Sequence, residues 1–92
     1  MTWKTIVSPT FLKDLAGLPV KVRKRVEEFA FELLPSADNP LELEKLDKLK
    51  GYDDFYKVRF GSYRLGARLD RKDKEIHLLR VMHRRDIYRR FP

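Results

Sequence analysis

Gly61-Ser62 separates two runs in which apolar and charged residues alternate, 55–60 and 63–69. A two-residue loop that begins with glycine is typical of a type II′ β-hairpin, and such a turn fixes the register of both strands. In this register Arg59 lies directly opposite Arg64. Alternation then sends one set of side chains into the core, namely Tyr56, Val58, Phe60, Tyr63, Leu65, Ala67 and Leu69.

The opposite face of this hairpin carries four positive side chains and no acid: Lys57, Arg59, Arg64 and Arg68. We call this the cationic face. Like charges directly opposite one another destabilise a hairpin, so a solvated structural face would normally alternate signs. A site that receives phosphate would instead cluster guanidinium groups. Gly66, opposite Lys57, is expected to leave a gap where a ligand can approach the backbone.

The other segments predict an α+β domain with the order β-α-α-β-β-β. We expect strands near 3–7, 55–60, 63–69 and 75–82, and helices that start at Ser8-Pro9 and at Val20. Residues 41–49 fit a strand and a helix equally well. The predicted architecture is one domain, residues 1–92, with a mostly antiparallel four-stranded sheet, two N-terminal helices on one face and a short C-terminal helix or turn.

Two further groups extend the cationic face in this prediction. The strand predicted at 75–82 follows this hairpin. If it pairs with the strand at 63–69 so that Leu69 lies opposite Glu75, Arg80 joins the cationic face. In the basic run that follows, Arg84 and Tyr88 are four residues apart and share one face of a helical turn. A guanidinium beside an aromatic ring suits a phosphate and an unstacked base, and Arg85 adds a further RNA contact.

The excess positive charge lies in residues 55–92. The net charge is +7; residues 1–54 hold nine Lys or Arg against ten Asp or Glu, and residues 55–92 hold twelve against four. Such a concentration favours an anionic partner, nucleic acid first. The absence of cysteine excludes thiolate chemistry, and no metal site, small-molecule cofactor or membrane contact is expected. We expect a cytoplasmic protein.

The order and spacing of several short motifs resemble the RelE/ParE toxins of bacterial toxin-antitoxin modules. The motifs are Lys48-Leu49-Lys50-Gly51, Tyr56-Lys57-Val58-Arg59, Gly61-Ser62-Tyr63-Arg64-Leu65 and Val81-Met82-His83-Arg84-Arg85-Asp86-Ile87-Tyr88. The resemblance implies a compact sheet with two N-terminal helices and a cognate antitoxin protein as partner. It also implies one of two activities: RelE proteins cleave messenger RNA in the A site of the 30S ribosomal subunit, whereas ParE proteins poison DNA gyrase.

The RelE reaction needs no metal, because the 2′-hydroxyl of the substrate attacks the adjacent phosphate. By resemblance, Lys57 and Arg59 assist deprotonation and neutralise charge, and Arg64 holds the scissile phosphate. Arg84 stabilises or protonates the leaving oxygen, and Tyr88 orients the nucleotide. Some active relatives have Lys where this chain has Arg59, and since arginine stays protonated the role of base falls to Lys57 or Tyr88. His83 is a further candidate proton carrier and, with Arg68, Arg80 and Arg85, a candidate RNA-binding residue.

Three functions follow as hypotheses. The first is a ribosome-dependent endoribonuclease toxin, which the joint presence of Lys57, Arg64, Arg84 and Tyr88 favours. The second is a ParE-like gyrase inhibitor without nuclease chemistry, and the third is an RNA-binding module without catalysis.

Overall fold

A mixed five-stranded sheet organises residues 3–92, the part of the chain that the computed structural model describes. Its strands are β1 (Lys4–Val7), β2 (Asp47–Lys48), β3 (Phe55–Phe60), β4 (Tyr63–Asp70) and β5 (Glu75–His83). They lie in the order β1-β5-β4-β3-β2; β1 runs parallel to β5 and the other neighbours are antiparallel. The predicted α+β class is confirmed. The sheet gains a fifth strand because two residues of the ambiguous segment 41–49 pair with β3.

The predicted register of the first hairpin is confirmed. Arg59 pairs with Arg64, and Lys57 pairs with Gly66. Gly61 has φ of +61°, as the first position of a type II′ turn requires, and Ser62 is not among the residues with positive φ. The strand face predicted to be apolar is buried, except that Tyr63 is only half-buried.

The predicted register of the second hairpin is wrong by one residue at its turn. Leu69 pairs with Ile76 rather than with Glu75. The turn Arg71–Lys74 has no glycine, and Lys74 supplies the left-handed residue, with φ of +53°. A β-bulge opposite Gly66 and Ala67 then inserts Leu79 as an extra residue, and this insertion brings Arg80 opposite Gly66.

The helices are α1 (Pro9–Ala16), α2 (Val20–Glu28), α3 (Leu34–Ser36) and α4 (Arg84–Arg90), with a π-helical turn at Phe29–Leu33 between α2 and α3 and a 3₁₀ turn at Pro40–Leu43. Ser8 caps α1 as predicted, since its hydroxyl oxygen accepts a hydrogen bond from the Phe11 amide at 3.0 Å. None of the helices within residues 3–92 has the length and apolar content needed to cross a membrane.

One layer of helices covers one face of the sheet. Phe11, Val26 and Phe29 are buried against strand residues such as Leu65 and Leu78. Because these strand residues alternate with those of the cationic face, the core and the cationic face lie on opposite sides of the sheet.

Helix α1 docks beside the part of β5 that β1 does not reach. The pairing of β1 with β5 ends at Leu78. Beyond it the Asp14 carboxylate accepts hydrogen bonds from Arg80 Nε at 2.8 Å, from Arg80 Nη2 at 3.2 Å and from the Val81 amide at 3.2 Å. The two side chains are 15% and 25% exposed, so this bidentate ion pair is largely shielded from water.

We expect Asp14→Ala to lower the free energy of unfolding by about 2 kcal/mol, because it leaves the shielded Arg80 charge and the Val81 amide without their acceptor. Urea denaturation measures the change. Asp53→Ala is the matched control: its side chain is 99% exposed beside Lys48, so its loss should cost less than about 0.5 kcal/mol. Equal losses in the two variants would contradict an anchoring role for Asp14.

Candidate active site

The cationic face brings Arg59 and Arg64 together on paired positions beside the hairpin turn. Arg59 is exposed, Lys57 and Arg68 are half-buried, and Arg64 is only 7% exposed. Because Lys57 and Arg59 are two residues apart on one strand, both side chains project from the same side of the sheet. The structure therefore places the four predicted cations on one surface.

Arg64 is held in place by the backbone of its own hairpin. Its Nη1 donates to the carbonyl oxygen of Gly61 at 2.6 Å and to that of Tyr63 at 2.9 Å. Within the described chain neither Nε nor Nη2 of Arg64 has a hydrogen-bond partner, so these donors remain available. A guanidinium that is fixed on one side and free on the other is suited to a phosphate group.

Helix α4 places the predicted site residues Arg84, Arg85 and Tyr88 next to the Gly61-Ser62 turn. The Arg84 amide donates to the carbonyl oxygen of Ser62 at 2.8 Å, so the start of α4 is bound to the same hairpin loop that holds Arg64. Arg84 and Arg85 are exposed, and Tyr88, one turn after Arg84, is 67% exposed. These side chains are accessible to a ligand that lies over the turn.

The cations at this site have no acidic partner within residues 3–92. Side chains elsewhere do: Arg80 pairs with Asp14, and Arg71 Nε lies 3.1 Å from Asp54. The hydrogen bond to Asp54 raises the pKa of Arg71. Asp47, on β2, is directly opposite Lys57 but forms no ion pair with it. A shielded positive charge without a counter-ion is costly, and an anion bound here would remove that cost.

Two residues assigned to RNA binding from the sequence are not brought into this cluster. Arg80 shares a row with Gly66, yet its guanidinium is drawn to Asp14 because α1 occupies the open edge of β5. His83 is on the core side of the strand, where its ring packs edge-on against Tyr63 with centroids 5.4 Å apart. Its Nδ1 accepts the Arg85 amide at 3.2 Å and caps α4.

The gap expected at Gly66 is filled by the protein itself. A Cβ built on Gly66 would lie 2.8 Å from three carbons of the Phe91 ring. Phe91 also packs edge-on against Phe55, with ring centroids 5.7 Å apart. The expectation that a ligand approaches the backbone at this point is therefore corrected.

Sequence reasoning missed Asp14 and Phe91, and no local signal identifies either of them. Asp14 binds Arg80 across 66 residues of sequence, and Phe91 reaches Gly66 only because α4 folds back over the sheet. Both contacts depend on the arrangement of elements that are distant in the chain.

One other group of side chains has the donor types of a metal site. Asp70, Glu75 and His77 offer atoms that all lie within 4.8 Å of one another beside the turn of the second hairpin. These donors are engaged internally: His77 Nε2 lies 3.0 Å from Glu75 Oε1, and Asp70 Oδ1 accepts the Asp73 amide at 3.0 Å. We assign them to stabilisation of the hairpin.

The cations of the cationic face and of α4 can therefore bind an anion beside the Gly61-Ser62 turn and neutralise its charge. Fixed guanidinium groups are suited to a phosphate that gains negative charge during a reaction. Lys57 supplies an amine, which can exchange a proton, and Tyr88 supplies an exposed aromatic ring.

Comparison with known proteins identifies chains of the same kind. Residues 5–88 match the family described as ParE toxin of type II toxin-antitoxin system, parDE. The chain is 40% identical over 91 residues to Toxin RelE3 of Methanocaldococcus jannaschii, covering 97% of this chain and 99% of that protein. It is 37% identical over 90 residues to Toxin RelG of Mycobacterium tuberculosis, covering 98% and 100%.

A solved structure agrees with these sequence matches. The crystal structure of the RelB-RelE antitoxin-toxin complex from Methanococcus jannaschii contains a chain that superposes with a TM-score of 0.77 at 36% identity. The superposition covers 95% of this chain and 99% of that one.

We expect Arg64→Met to leave the free energy of unfolding unchanged or to raise it by up to about 1 kcal/mol, because an apolar side chain replaces a shielded charge that has no counter-ion. Urea denaturation in low-phosphate buffer is the measurement. A loss of more than about 1 kcal/mol would show that the hydrogen bonds of Arg64 to the turn are structural rather than part of a binding site.

Proposed function

The chain belongs to the RelE/ParE superfamily of type II toxin-antitoxin toxins, and we propose that it is a single-domain toxin that cleaves messenger RNA in the ribosomal A site without a metal. Its target is the phosphodiester backbone of a message on the 30S subunit. Cleavage of the message stops translation.

The observation that carries this proposal is a set of cations around one hairpin turn that have no acidic partner in the described part of the chain. Arg59 and Arg64 face each other beside the turn, and Arg84 is attached to it through the Ser62 carbonyl. Attack by a 2′-hydroxyl turns a singly charged phosphodiester into a phosphorane with more negative charge. Cations already in position stabilise this transition state more than the ground state, which is the requirement for catalysis.

In this mechanism each side chain has a role that fits its surroundings. Arg64, fixed through Nη1, binds the scissile phosphate with its remaining donors. Arg59 is exposed beside it and neutralises the growing charge. Lys57 takes the proton of the 2′-hydroxyl, since the amine can lose a proton and the neighbouring guanidinium groups cannot.

The α4 residues act on the other side of the phosphate. Arg84 stabilises the 5′-oxygen as it leaves, and Tyr88 stacks against the nucleotide. Arg68 and Arg85 extend the contact to neighbouring phosphates. Lys57 removes one proton from the 2′-hydroxyl, and the 5′-oxygen, stabilised by Arg84, takes one proton from solvent as it leaves. The products are a 2′,3′-cyclic phosphate and a 5′-hydroxyl, and no metal is needed.

Two partners belong to the same proposal. The ribosome holds the flexible message in the in-line geometry that so small a site cannot impose alone. A cognate antitoxin, as in the RelB-RelE complexes of relatives, neutralises the toxin by covering its cations with an acidic or amphipathic segment that folds on binding.

Replacing single residues of the site tests the assignment. We expect Lys57→Ala, Arg64→Ala and Arg84→Ala each to lower the rate of message cleavage by roughly 10²- to 10³-fold, because each removes a group that acts in the transition state. Primer extension on a translated message measures the rate, and circular dichroism checks the fold. Arg71→Ala is the control: this cation is paired with Asp54, and its loss should change the rate less than about twofold.

Other outcomes of the same assay would replace the proposal. Intact messages together with inhibited DNA supercoiling would identify a gyrase inhibitor. Stable association with translating ribosomes, without any cut, would identify a passive RNA-binding module.

The identity of the nucleophile can be tested on the substrate. A message with a single 2′-deoxynucleotide on the 5′ side of the cleaved bond is expected to remain intact at that position, because the attacking oxygen is missing. A ribonucleotide at the same position is the control. Cleavage of the deoxy-substituted message would mean that water or a protein group attacks instead.

A further inference from the structure

Phe91 lies on the cationic face, although no feature of the sequence associates it with the site. Its ring occupies the volume above Gly66, where three ring carbons lie 2.8 Å from the position that a Cβ would take. Gly66 is flanked by Lys57 on β3 and by Arg80 on β5. The ring therefore sits in the middle row of the sheet surface, and Phe55 supports it edge-on.

Helix α4 depends on such an anchor. It has seven residues, and isolated helices shorter than about 12 residues are marginal in water. Its start is fixed by the Ser62 carbonyl and the His83 cap. Its middle is fixed by buried Ile87, and its end by Phe91, whose amide also donates to the Ile87 carbonyl at 2.9 Å.

Tyr88 is exposed and lies between these last two anchors. Arg84, by contrast, is bound to the hairpin turn at the start of the helix and does not need the far end to be in place. Loss of the Phe91 contact would thus free Tyr88 and leave Arg84 where it is.

We propose that Phe91 is a positioning residue: its ring, seated on Gly66, fixes the end of α4 and so holds Tyr88 over the cationic face. The contact requires glycine at position 66, because any side chain there would overlap with the Phe91 ring. The catalytic consequence rests on the proposed function, whereas the packing consequence does not.

Two variants test the contact from opposite sides. Phe91→Ala removes the ring, and Gly66→Ala displaces it by adding a methyl group within the sheet. Because the neighbour that must give way is a side chain and not backbone, Gly66→Ala is expected to leave the sheet folded. Phe31→Ala is the matched control, since Phe31 is 47% exposed on the π-helical turn, away from α4.

Amide hydrogen exchange of the full chain reads the packing without reference to activity. We expect the amides of 88–91 to exchange at least about tenfold faster in Phe91→Ala and Gly66→Ala, with no change in β3 and β4, because only local opening becomes easier. Phe31→Ala should leave these amides unaffected. Unchanged exchange at 88–91 in both variants would overturn the proposal, whether or not the protein cleaves RNA.

The rate of single-turnover cleavage of a message on ribosomes tests whether Phe91 positions Tyr88. Phe91→Ala should reduce the rate as far as Tyr88→Ala does, and the double variant should lose no more than either single one, because both changes remove the same contribution. Phe91→Leu, which retains an apolar contact, should restore part of the rate. Additive losses, or a full rate for Phe91→Ala with a loosened helix, would refute positioning of Tyr88. If the unaltered chain cuts no message, the proposed function fails, and the exchange measurement alone decides the packing.

Discussion

Gly61 and Ser62 set the position of every charge in the site, because a two-residue turn leaves the paired strands no freedom of register. The turn puts two guanidinium groups side by side, supplies the carbonyl groups that hold one of them, and offers a third carbonyl to the start of α4. The repulsion among these cations is opposed by the hydrophobic core on the other side of the sheet. The core residues alternate with the cations, so burial of one set exposes the other.

The protein treats its cations in two ways. Arg80 and Arg71 are paired with acids and serve the fold, whereas those around the hairpin turn have no such partner within residues 3–92. The distinction concerns surroundings rather than residue type, since arginines occur in both groups. An electrostatic field that is not cancelled locally is what a polyanion would meet first as it approaches.

How much the sequence predicts depends on how local the determining contact is. The first hairpin, the Ser8 cap and the core face follow from neighbouring residues, and all are observed. The predicted register of the second hairpin is wrong because its turn has no glycine. Without one, the sequence does not indicate that Lys74 adopts the left-handed conformation. Segment 41–49 contains both a 3₁₀ turn and a two-residue strand, so neither periodicity could identify it.

The site residues divide along the same line. Arg59 opposite Arg64 is a matter of counting from the turn, and Arg84 with Tyr88 a matter of helical spacing. Arg80, in contrast, binds the Asp14 carboxylate on α1 and is not part of the cluster. The Phe91 ring, which follows α4, occupies the space above Gly66. Both outcomes depend on which elements meet in three dimensions. Neither the net charge of a segment nor its hydrophobic periodicity can predict these two contacts.

The extra residue in β5 has an effect beyond pairing. Removing Leu79 would let Arg80 follow Leu78 directly, and each half of the strand would keep its present partners on β4. What would change is direction, because a bulge bends the strand and sharpens its twist. The terminal half of β5 leads directly into α4, so the bulge affects the direction in which the helix leaves the sheet. A chain one residue shorter here would preserve the whole ladder and still aim its helix elsewhere.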